Sequence, residues 1–437
     1  MPSPARVTPP FSPAIEHFAL DRSVVFLNHG SFGSVPVAVA AEQERWQRRM
    51  ESEPIRWFVS ELEPALDAAR ERMAAFVGCD ADGFAFVANA TAGVSTVARS
   101  LDLKPGDELL TSTHEYNACN NALCHVARHS GAAVVSVPLP YPVTGPDEIV
   151  SLLTAAVTAR TRFVLVSHIT SPTGLVLPVE RLIPALRAAA RVAGAERMEI
   201  MVDGAHVPAH LPVKVGQLAC DYYTGNFHKW LCAPKGSAFL WVAPDKRQAV
   251  HPLVISHGAN ADRPSRTRFR LEFDFLGSMD YSPFLATPAA IDFLAGLHPN
   301  GVWGAVNHCR GMVAQAREHL ADLLGTASPA PPEMFGTMAA VLLPPHDGDR
   351  TARLLARPTA YHDALQDRLV ERWGLQVPVI RMAELPPRPG VVAVPQPAGP
   401  SGVARWVRLS AAIYNHPEQY RYLGRALQAE LAEEARL

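Results

Sequence analysis

Short apolar runs alternate with stretches of helical composition between about residue 65 and residue 245, and this alternation limits the possible folds more than any other feature. The apolar runs are 84–87, 132–137, 163–167, 198–202 and 238–242, with helical patterns at about 117–129 and 179–193. Runs rich in Val, Ile and Leu that alternate with helices are typical of a mostly parallel sheet covered on both faces. The sequence therefore predicts an α/β domain.

Polar residues directly follow several of these runs. Asn89 and Thr91 follow the first run, His168 follows the third, and Asp203 follows the fourth. In open α/β sheets, ligands bind outside the carboxyl ends of the strands. We therefore expect a binding site at this edge of the sheet.

After about residue 295 the pattern changes to that of a smaller α+β domain. Its expected elements are helices at 301–324, 361–373 and 417–435 and strands at 338–343 and 406–410. The predicted units are an N-terminal arm (1–25), a large domain (26–295) and a small C-terminal domain (296–437). The proline-rich stretch 386–400 is expected to be an exposed loop or an extended connection.

Composition and charge exclude several classes of protein. A formal net charge of -2 gives no electrostatic reason to expect nucleic acid or an anionic membrane as a partner. The six cysteines form no C-x-x-C pair, so neither a zinc site nor any other metal site is predicted. The start of the chain does not resemble a signal peptide, and no apolar stretch approaches the length of a membrane-spanning helix, so a cytoplasmic location is expected. The phosphate-binding glycine motifs of nucleotide-binding proteins are also missing from the sequence.

Lys229 lies in a segment, 222–240, that is rich in aromatic and apolar residues. A lysine amine becomes nucleophilic toward an aldehyde when desolvation or a neighbouring cation lowers its pKa. Most lysines are instead exposed on the surface, but this segment is too apolar for a surface loop. Lys235, between Pro234 and Gly236, is the better candidate for an exposed cation. Lys229 is therefore predicted to be a reactive amine.

Asp203 ends an otherwise apolar run, and a carboxylate at such a position needs a partner because burying a lone charge is costly. An internal salt bridge or a helix cap would satisfy it, and so would a protonated pyridine nitrogen. The segment 89–93 lies between a strand and a helix, where free amides and the Thr91 hydroxyl would bind an anion or simply cap the helix. Together with Lys229, these are the three parts of a pyridoxal-phosphate site.

Eight segments extend this argument to the whole chain. They are Leu27–Gly33, Asn89–Thr91, His114–Tyr116, Ser167–Gly174, Val202–His206, His228–Leu231, Gly277–Asp280 and Arg408–Tyr414. In this order they resemble the class V branch of the fold-type I pyridoxal-phosphate enzymes, and within it the isopenicillin N epimerase-like group. The resemblance implies a large domain with a mostly parallel, seven-stranded sheet and a smaller α+β C-terminal domain.

The resemblance also implies roles for single residues. Lys229 would hold pyridoxal 5′-phosphate as a Schiff base and move the Cα proton of the substrate. Asp203 would pair with the ring nitrogen, His206 would contact the ring hydroxyl, and Tyr116 would stack on the ring. Arg408 would bind the substrate α-carboxylate as a bidentate fork.

Further residues are implied to complete the site. The backbone around Asn28, His29 and Gly30 would assist Arg408. The cofactor would also be held by Asn89, Ala90, Thr91, His168, Ser171, Asn226, His228 and Ser278. Because Ser278 would reach the phosphate of a neighbouring subunit, the expected assembly is a homodimer with shared active sites. The family often has Thr at the position of Ser278, and Met279 replaces a residue that is commonly Arg in the epimerase, which leaves the substrate open.

Three reactions remain open from the sequence, each beginning with Cα deprotonation of an external aldimine. Epimerisation needs a second acid, for which Tyr116 and His29 are candidates, whereas C–S β-elimination on a cysteine-derived substrate needs no further residue. Transamination is the third. A desulfurase mechanism is disfavoured because the only cysteine near the small domain, Cys309, lies in a helical pattern. A cofactor-free scaffold protein is disfavoured because Lys229, Asp203 and Arg408 are all present.

Overall fold

The computed structural model describes residues 8–346, 348–381, 391–393 and 404–436. The strands are β1 Val25–Phe26, β2 Phe84–Val87, β3 Glu108–Ser112, β4 Ala133–Val137, β5 Thr161–Ser167, β6 Glu199–Asp203, β7 Tyr222–Asn226, β8 Ala238–Val242, β9 Met338–Leu342, β10 Leu375–Gln376, β11 Val379–Arg381, β12 Val391–Ala393 and β13 Arg405–Ser410.

The helices are α1 Val37–Ser52, α2 Pro54–Arg56, α3 Leu62–Val77, α4 Ala90–Ser100, α5 Asn117–Ser130, α6 Pro146–Ala155, α7 Val179–Ala193, α8 Arg268–Asp274, α9 Ser282–Leu285, α10 Thr287–Gly296, α11 Gly301–Leu324, α12 Gly348–Leu355, α13 Ala364–Trp373 and α14 Pro417–Glu434. A π-helical turn, Trp57–Glu61, joins α2 to α3. Among the described residues, none of the helices combines the length and the apolar character needed to cross a membrane.

The large sheet has the strand order β12-β4-β3-β5-β6-β7-β8-β2. Strands β12, β4, β3, β5, β6 and β7 are parallel to one another, whereas β8 runs antiparallel to both β7 and β2. Seven of these strands come from the region between residues 84 and 242, which confirms the predicted mostly parallel sheet.

Helices cover both faces of this sheet, and the burial of the strands shows why the sequence adopts it. Side chains of successive strand residues point to opposite faces. Accordingly, Leu109 and Leu110 belong to two different hydrophobic clusters, and so do Phe163 and Val164. A strand that is buried on both faces must be apolar at nearly every position, which is the pattern that the sequence showed.

The C-terminal part forms a separate three-stranded antiparallel sheet in the order β11-β13-β9, packed against α11 and α14. The short strand β1 pairs in parallel with β10, so the N-terminal segment joins this part of the molecule. The boundary near residue 296 stays a prediction, but the beginning of the predicted large domain is hydrogen-bonded to the C-terminal part.

Three strands of the large sheet were not anticipated, and neither were the short strands β1, β10 and β11. β3 was not expected at all, and β7 lies in a segment that was read as the loop before β8. β12 lies within the proline-rich stretch 386–400 and pairs in parallel with β4, so at these three residues the predicted loop is a sheet strand. Residues 382–390 and 394–403 lie outside the described residues.

Candidate active site

The carboxyl ends of three adjacent strands carry the polar residues around which the site is built. Ser167 ends β5, Asp203 ends β6 and Asn226 ends β7, and the loop after β7 carries Lys229. Arg408 approaches this edge from β13 of the C-terminal part. The structure therefore brings together residues that are far apart in the sequence, as the strand-end argument predicted.

Lys229 is partly buried, and its Nζ lies 3.0 Å from Nε2 of His206. The indole Nε1 of Trp230 donates to Nδ1 of His206 at 3.3 Å. Because Nδ1 accepts this bond, a neutral His206 carries its proton on Nε2 and donates it to Lys229. Only an unprotonated amine can accept that bond.

The electrostatics shift Lys229 toward the neutral amine. Burial, followed by the positive charge of Arg408, lowers the pKa of Lys229 from 10.5 to about 8. Burial also holds the pKa of His206 well below its ordinary value, so its ring is neutral. Trp230 and His206 together favour the unprotonated form of Lys229, which is the form that a nucleophile or base requires.

We expect the Trp230→Phe variant to react with aldehydes at higher pH than the unchanged protein. Without the indole donor, His206 can accept through Nε2, and a protonated Lys229 gains a partner. A hydrogen bond worth about 1 kcal/mol corresponds to a rise of about 0.7 in the Lys229 pKa. The measurement is the pH at which the rate of pyridoxal-phosphate capture is half-maximal. Trp241→Phe is the matched control, since Trp241 donates to Asp80; an equal rise in both variants would contradict the argument.

Asp203 is 3% exposed, and protein donors reach both of its oxygens. Oδ1 accepts from the Ala205 amide at 2.8 Å, and Oδ2 accepts from the Cys119 thiol at 3.3 Å. Burial raises the pKa of Asp203, while these two donors and the charge of Lys229 oppose the rise. A carboxylate buried at this position fits a protonated ring nitrogen as its remaining partner.

The start of α4 was predicted to hold a phosphate. The Asn89 side chain caps the helix by accepting from the Ala92 amide, and Asn226 Oδ1 accepts from the Ala90 amide, each at 2.8 Å. Among the described residues, the Thr91 amide and hydroxyl have no hydrogen-bond partner. Thr91 therefore supplies the free donors at this helix N-terminus, which suits a phosphate group.

His228 lies close to the same region and is partly buried. Its Nδ1 contacts the Ser237 carbonyl at 3.0 Å, so Nδ1 carries a proton. Burial and the charge of Lys229 lower its pKa to about 4, which leaves Nε2 of the neutral ring as an acceptor. Nε2 can donate to a phosphate oxygen only if the negative charge of the phosphate raises the pKa of His228 enough for the ring to take up a second proton.

Arg408 enters the site from β13 and is buried. One terminal nitrogen donates to the Ser171 carbonyl, and the other reaches Ser31 and, at 3.2 Å, Oδ1 of Asn28. The buried Nε has no partner among the described residues. Burial lowers the pKa of Arg408 to about 10, so the guanidinium stays charged near neutral pH. A carboxylate would supply the anion that this group lacks. Ser31 was missed by the sequence argument, although it lies in the matched segment that begins at Leu27.

His29 and Gly30 are held by the protein itself. Nδ1 of His29 contacts the Tyr414 hydroxyl at 2.8 Å, and Nε2 contacts the Lys229 carbonyl at 3.0 Å. The Gly30 amide donates to the Ser410 hydroxyl at 3.2 Å. Both ring nitrogens of His29 are thus engaged, and Tyr116 is the better candidate for a second acid.

The other predicted residues take different positions. Tyr116 precedes α5 and is 47% exposed. Nδ1 of His168 contacts the Tyr223 hydroxyl at 2.9 Å, and Ser171 contributes its carbonyl to Arg408. Ser278 is exposed in the single chain, which is compatible with a partner subunit. Their roles toward the cofactor stay predictions.

No cysteine thiol with a shifted pKa is activated among the described residues, because every such shift is upward. Burial raises the pKa values of Cys232 and Cys309 to about 12. Cys119 lies beside Asp203, and burial together with this carboxylate raises its thiol pKa as well. None of the cysteines with a shifted pKa therefore suits a nucleophilic thiolate of the desulfurase kind.

Three comparisons place this geometry among known proteins. The family model described as aminotransferase class V matches residues 34–356. An isopenicillin N epimerase from Amycolatopsis lactamdurans is 34% identical over 95% of this chain and 97% of the epimerase. A protein named putative L-cysteine desulfhydrase 2, from Oryza sativa subsp. japonica, is 30% identical over 94% of this chain and 86% of its own length. A solved structure of a C-DES mutant, with glycine covalently linked to its PLP cofactor, matches with a TM-score of 0.72, 18% identity and coverage of 95% and 99% of the two chains.

Proposed function

The chain belongs to the class V aminotransferase family of pyridoxal-phosphate enzymes, and from this premise we propose that it removes the Cα proton of an amino acid and epimerises it. The observation that carries the proposal is the arrangement of Trp230, His206 and Lys229, which favours an unprotonated amine next to Asp203. When bound, pyridoxal phosphate supplies an aldehyde for the substrate amine and a ring that accepts the electrons left at Cα.

The residues of the chain would divide the remaining work. Arg408 and Asn28 bind the α-carboxylate and orient the Cα–H bond, which saves the entropy of alignment. Lys229 takes the Cα proton through Nζ, and its lowered pKa suits a base that works near neutral pH. The Tyr116 hydroxyl returns a proton on the other side, as epimerisation requires.

A C–S lyase acting on a cysteine-derived substrate is the second candidate. It is supported by the 30% and 28% identity to two proteins named putative L-cysteine desulfhydrases, each over 94% of this chain. It would use the same base and the same carboxylate site, and a thiol would leave from Cβ. Tyr116 then has no necessary role in the reaction, which separates the two candidates.

We also propose that the working form is a homodimer. Ser278 and its neighbour Met279 are exposed, and Leu253, Val254 and Ile255 form a run of exposed apolar side chains. Apolar surface of this kind is usual where two proteins meet.

The reaction is tested by offering amino acids and cysteine conjugates in deuterated water. Deuterium at Cα with inversion and no net consumption supports epimerisation. Pyruvate and a released thiol would support the lyase, and a keto acid with the aminated cofactor would indicate transamination.

The Tyr116→Phe variant should slow inversion at Cα by about 10²–10⁴-fold, while deuterium exchange on the original face stays measurable. Equal loss of both would contradict Tyr116 as the second acid.

A further inference from the structure

Two buried carboxyl groups meet behind the site. One oxygen of Glu115, one oxygen of Asp203 and the sulfur of Cys119 lie within 4.8 Å of one another, and all three residues are buried. Asp203 and Cys119 share a hydrogen bond, but Glu115 has no role in the scheme above. Two carboxylates this close in a buried site cannot both stay ionised without a large electrostatic cost.

Hydrogen bonding indicates which carboxyl keeps its proton. Oε1 of Glu115 accepts from the Ser167 hydroxyl at 2.7 Å and from the Tyr116 amide at 2.8 Å. Oε2 is buried and has no partner among the described residues. A carboxylate oxygen without donors is costly to bury, whereas a protonated Oε2 removes the charge. In Asp203, by contrast, both oxygens accept bonds from donors.

We propose that Glu115 is a positioning residue held as a neutral carboxylic acid, which keeps the Glu115–Asp203 pair at one negative charge and so sets how strongly Asp203 attracts the proton of the ring nitrogen. The effect on the ring nitrogen rests on the proposed function. The protonation state of Glu115 does not depend on it. Glu115 is not expected to touch the substrate.

The surrounding charges agree with this assignment. Burial and the charge of Asp203 raise the pKa of Glu115 from 4.5 to about 8. Lys229 faces Asp203, and in its protonated form it lowers the Asp203 pKa. Asp203 also interacts with Cys119, which donates to it, and with Tyr223, whose pKa is raised mainly by burial and further by nearby negative charges that include Asp203. None of these supplies Glu115 with a positive partner.

The first test uses the protein without cofactor and compares thermal unfolding of the unchanged chain with Glu115→Gln. The unfolded chain loses the Glu115 proton near pH 4.5, while the folded chain keeps it up to about pH 8. Rising pH therefore favours unfolding of the unchanged protein across this range. The Tm of Glu115→Gln minus that of the unchanged protein should grow from pH 5 to 8 and level off above 8. Glu44→Gln, at an exposed position, is the control and should show no such growth.

A difference that is constant or shrinks with pH would overturn the proposal, because it would mean that Glu115 is ionised when folded. Should Glu115→Gln fail to fold, Ser167→Ala gives an independent answer. Loss of the Ser167 donor destabilises the ionised form of Glu115, so the pH at which stability stops falling should move above 8. An unmoved value would also count against a neutral Glu115.

The second test reads the ring nitrogen directly. After loading with ¹⁵N-labelled pyridoxal phosphate, the ring-nitrogen chemical shift should change in a step near pH 8 in the unchanged protein and stay flat in Glu115→Gln. A step in both proteins would show that Glu115 does not tune Asp203. If no cofactor binds at any pH, the proposed function fails, while the melting series still decides the charge of Glu115.

Discussion

The Lys229→Ala variant should lose the colour of the bound cofactor and nearly all activity. Without Nζ there is no amine to hold the aldehyde and no base at Cα, and the loss of the base alone should slow turnover about 10²–10⁴-fold. The site lies at a strand edge and the side chain is only partly buried, so the fold should survive. The measurements are the visible absorbance after loading with pyridoxal phosphate and kcat with the best amino acid found.

Lys235→Ala is the control for this variant. Lys235 lies six residues after Lys229 in the same segment, and its amine contacts the Gly33 carbonyl. Its loss therefore removes a neighbouring cation without touching the proposed chemistry. The control should keep the absorbance band. A band that survives in Lys229→Ala but disappears in Lys235→Ala would reassign the reactive lysine.

The Arg408→Lys variant should bind amino acids poorly. Lysine keeps the charge but loses the planar fork that reaches two acceptors at once. A charged hydrogen bond worth about 1.5–3 kcal/mol corresponds to a fall in kcat/KM of about 10–100-fold. The fall should appear mainly in KM, because the carboxylate is bound in the ground state and in the transition state alike.

The carboxylate itself supplies the control for Arg408→Lys. The unchanged protein should strongly prefer an amino acid over the corresponding amine without the α-carboxylate, as measured by the rate of Cα–H exchange. In Arg408→Lys this preference should shrink by the same factor as kcat/KM. An undiminished preference would mean that residues other than Arg408 bind the substrate carboxylate.

The fold could be predicted where a strand contains a run of apolar residues. Val, Ile, Leu, Met and Phe make up most of β2, β4 and β5 and the centre of β6, because these strands are largely buried on both faces. In β7 the residues Tyr222–Asn226 are just as buried, but Tyr, Thr, Gly and Asn do not form an apolar run. In β3 the pattern is broken by Glu108, which is buried through its ion pair with Arg160. The pattern of apolar residues in a sequence does not reveal strands whose polar residues are buried.

The candidate site shows the same division. Strand-end position and residue type were enough to single out Asp203, Thr91 and Lys229, and the cofactor class is confirmed by the comparisons. The protonation of the site was not readable from the sequence, because it depends on contacts between elements. The tautomer of His206 is fixed by the indole of Trp230, and Glu115 becomes significant only once its oxygen lies close to Asp203.

The pairing of β1 with β10 has a consequence for how the molecule is made. The Gly30 amide and the Ser410 hydroxyl that it contacts are 380 residues apart, and Asn28 and Arg408 are separated by the same distance in sequence. Contacts of such long range form late, since closing a long loop costs entropy before any contact repays it. During synthesis, which releases the N-terminus first, residues 25–31 must wait for almost the whole chain to emerge. The half of the site that is proposed to bind the carboxylate is therefore assembled last, after the parallel sheet that holds Lys229 is already in place.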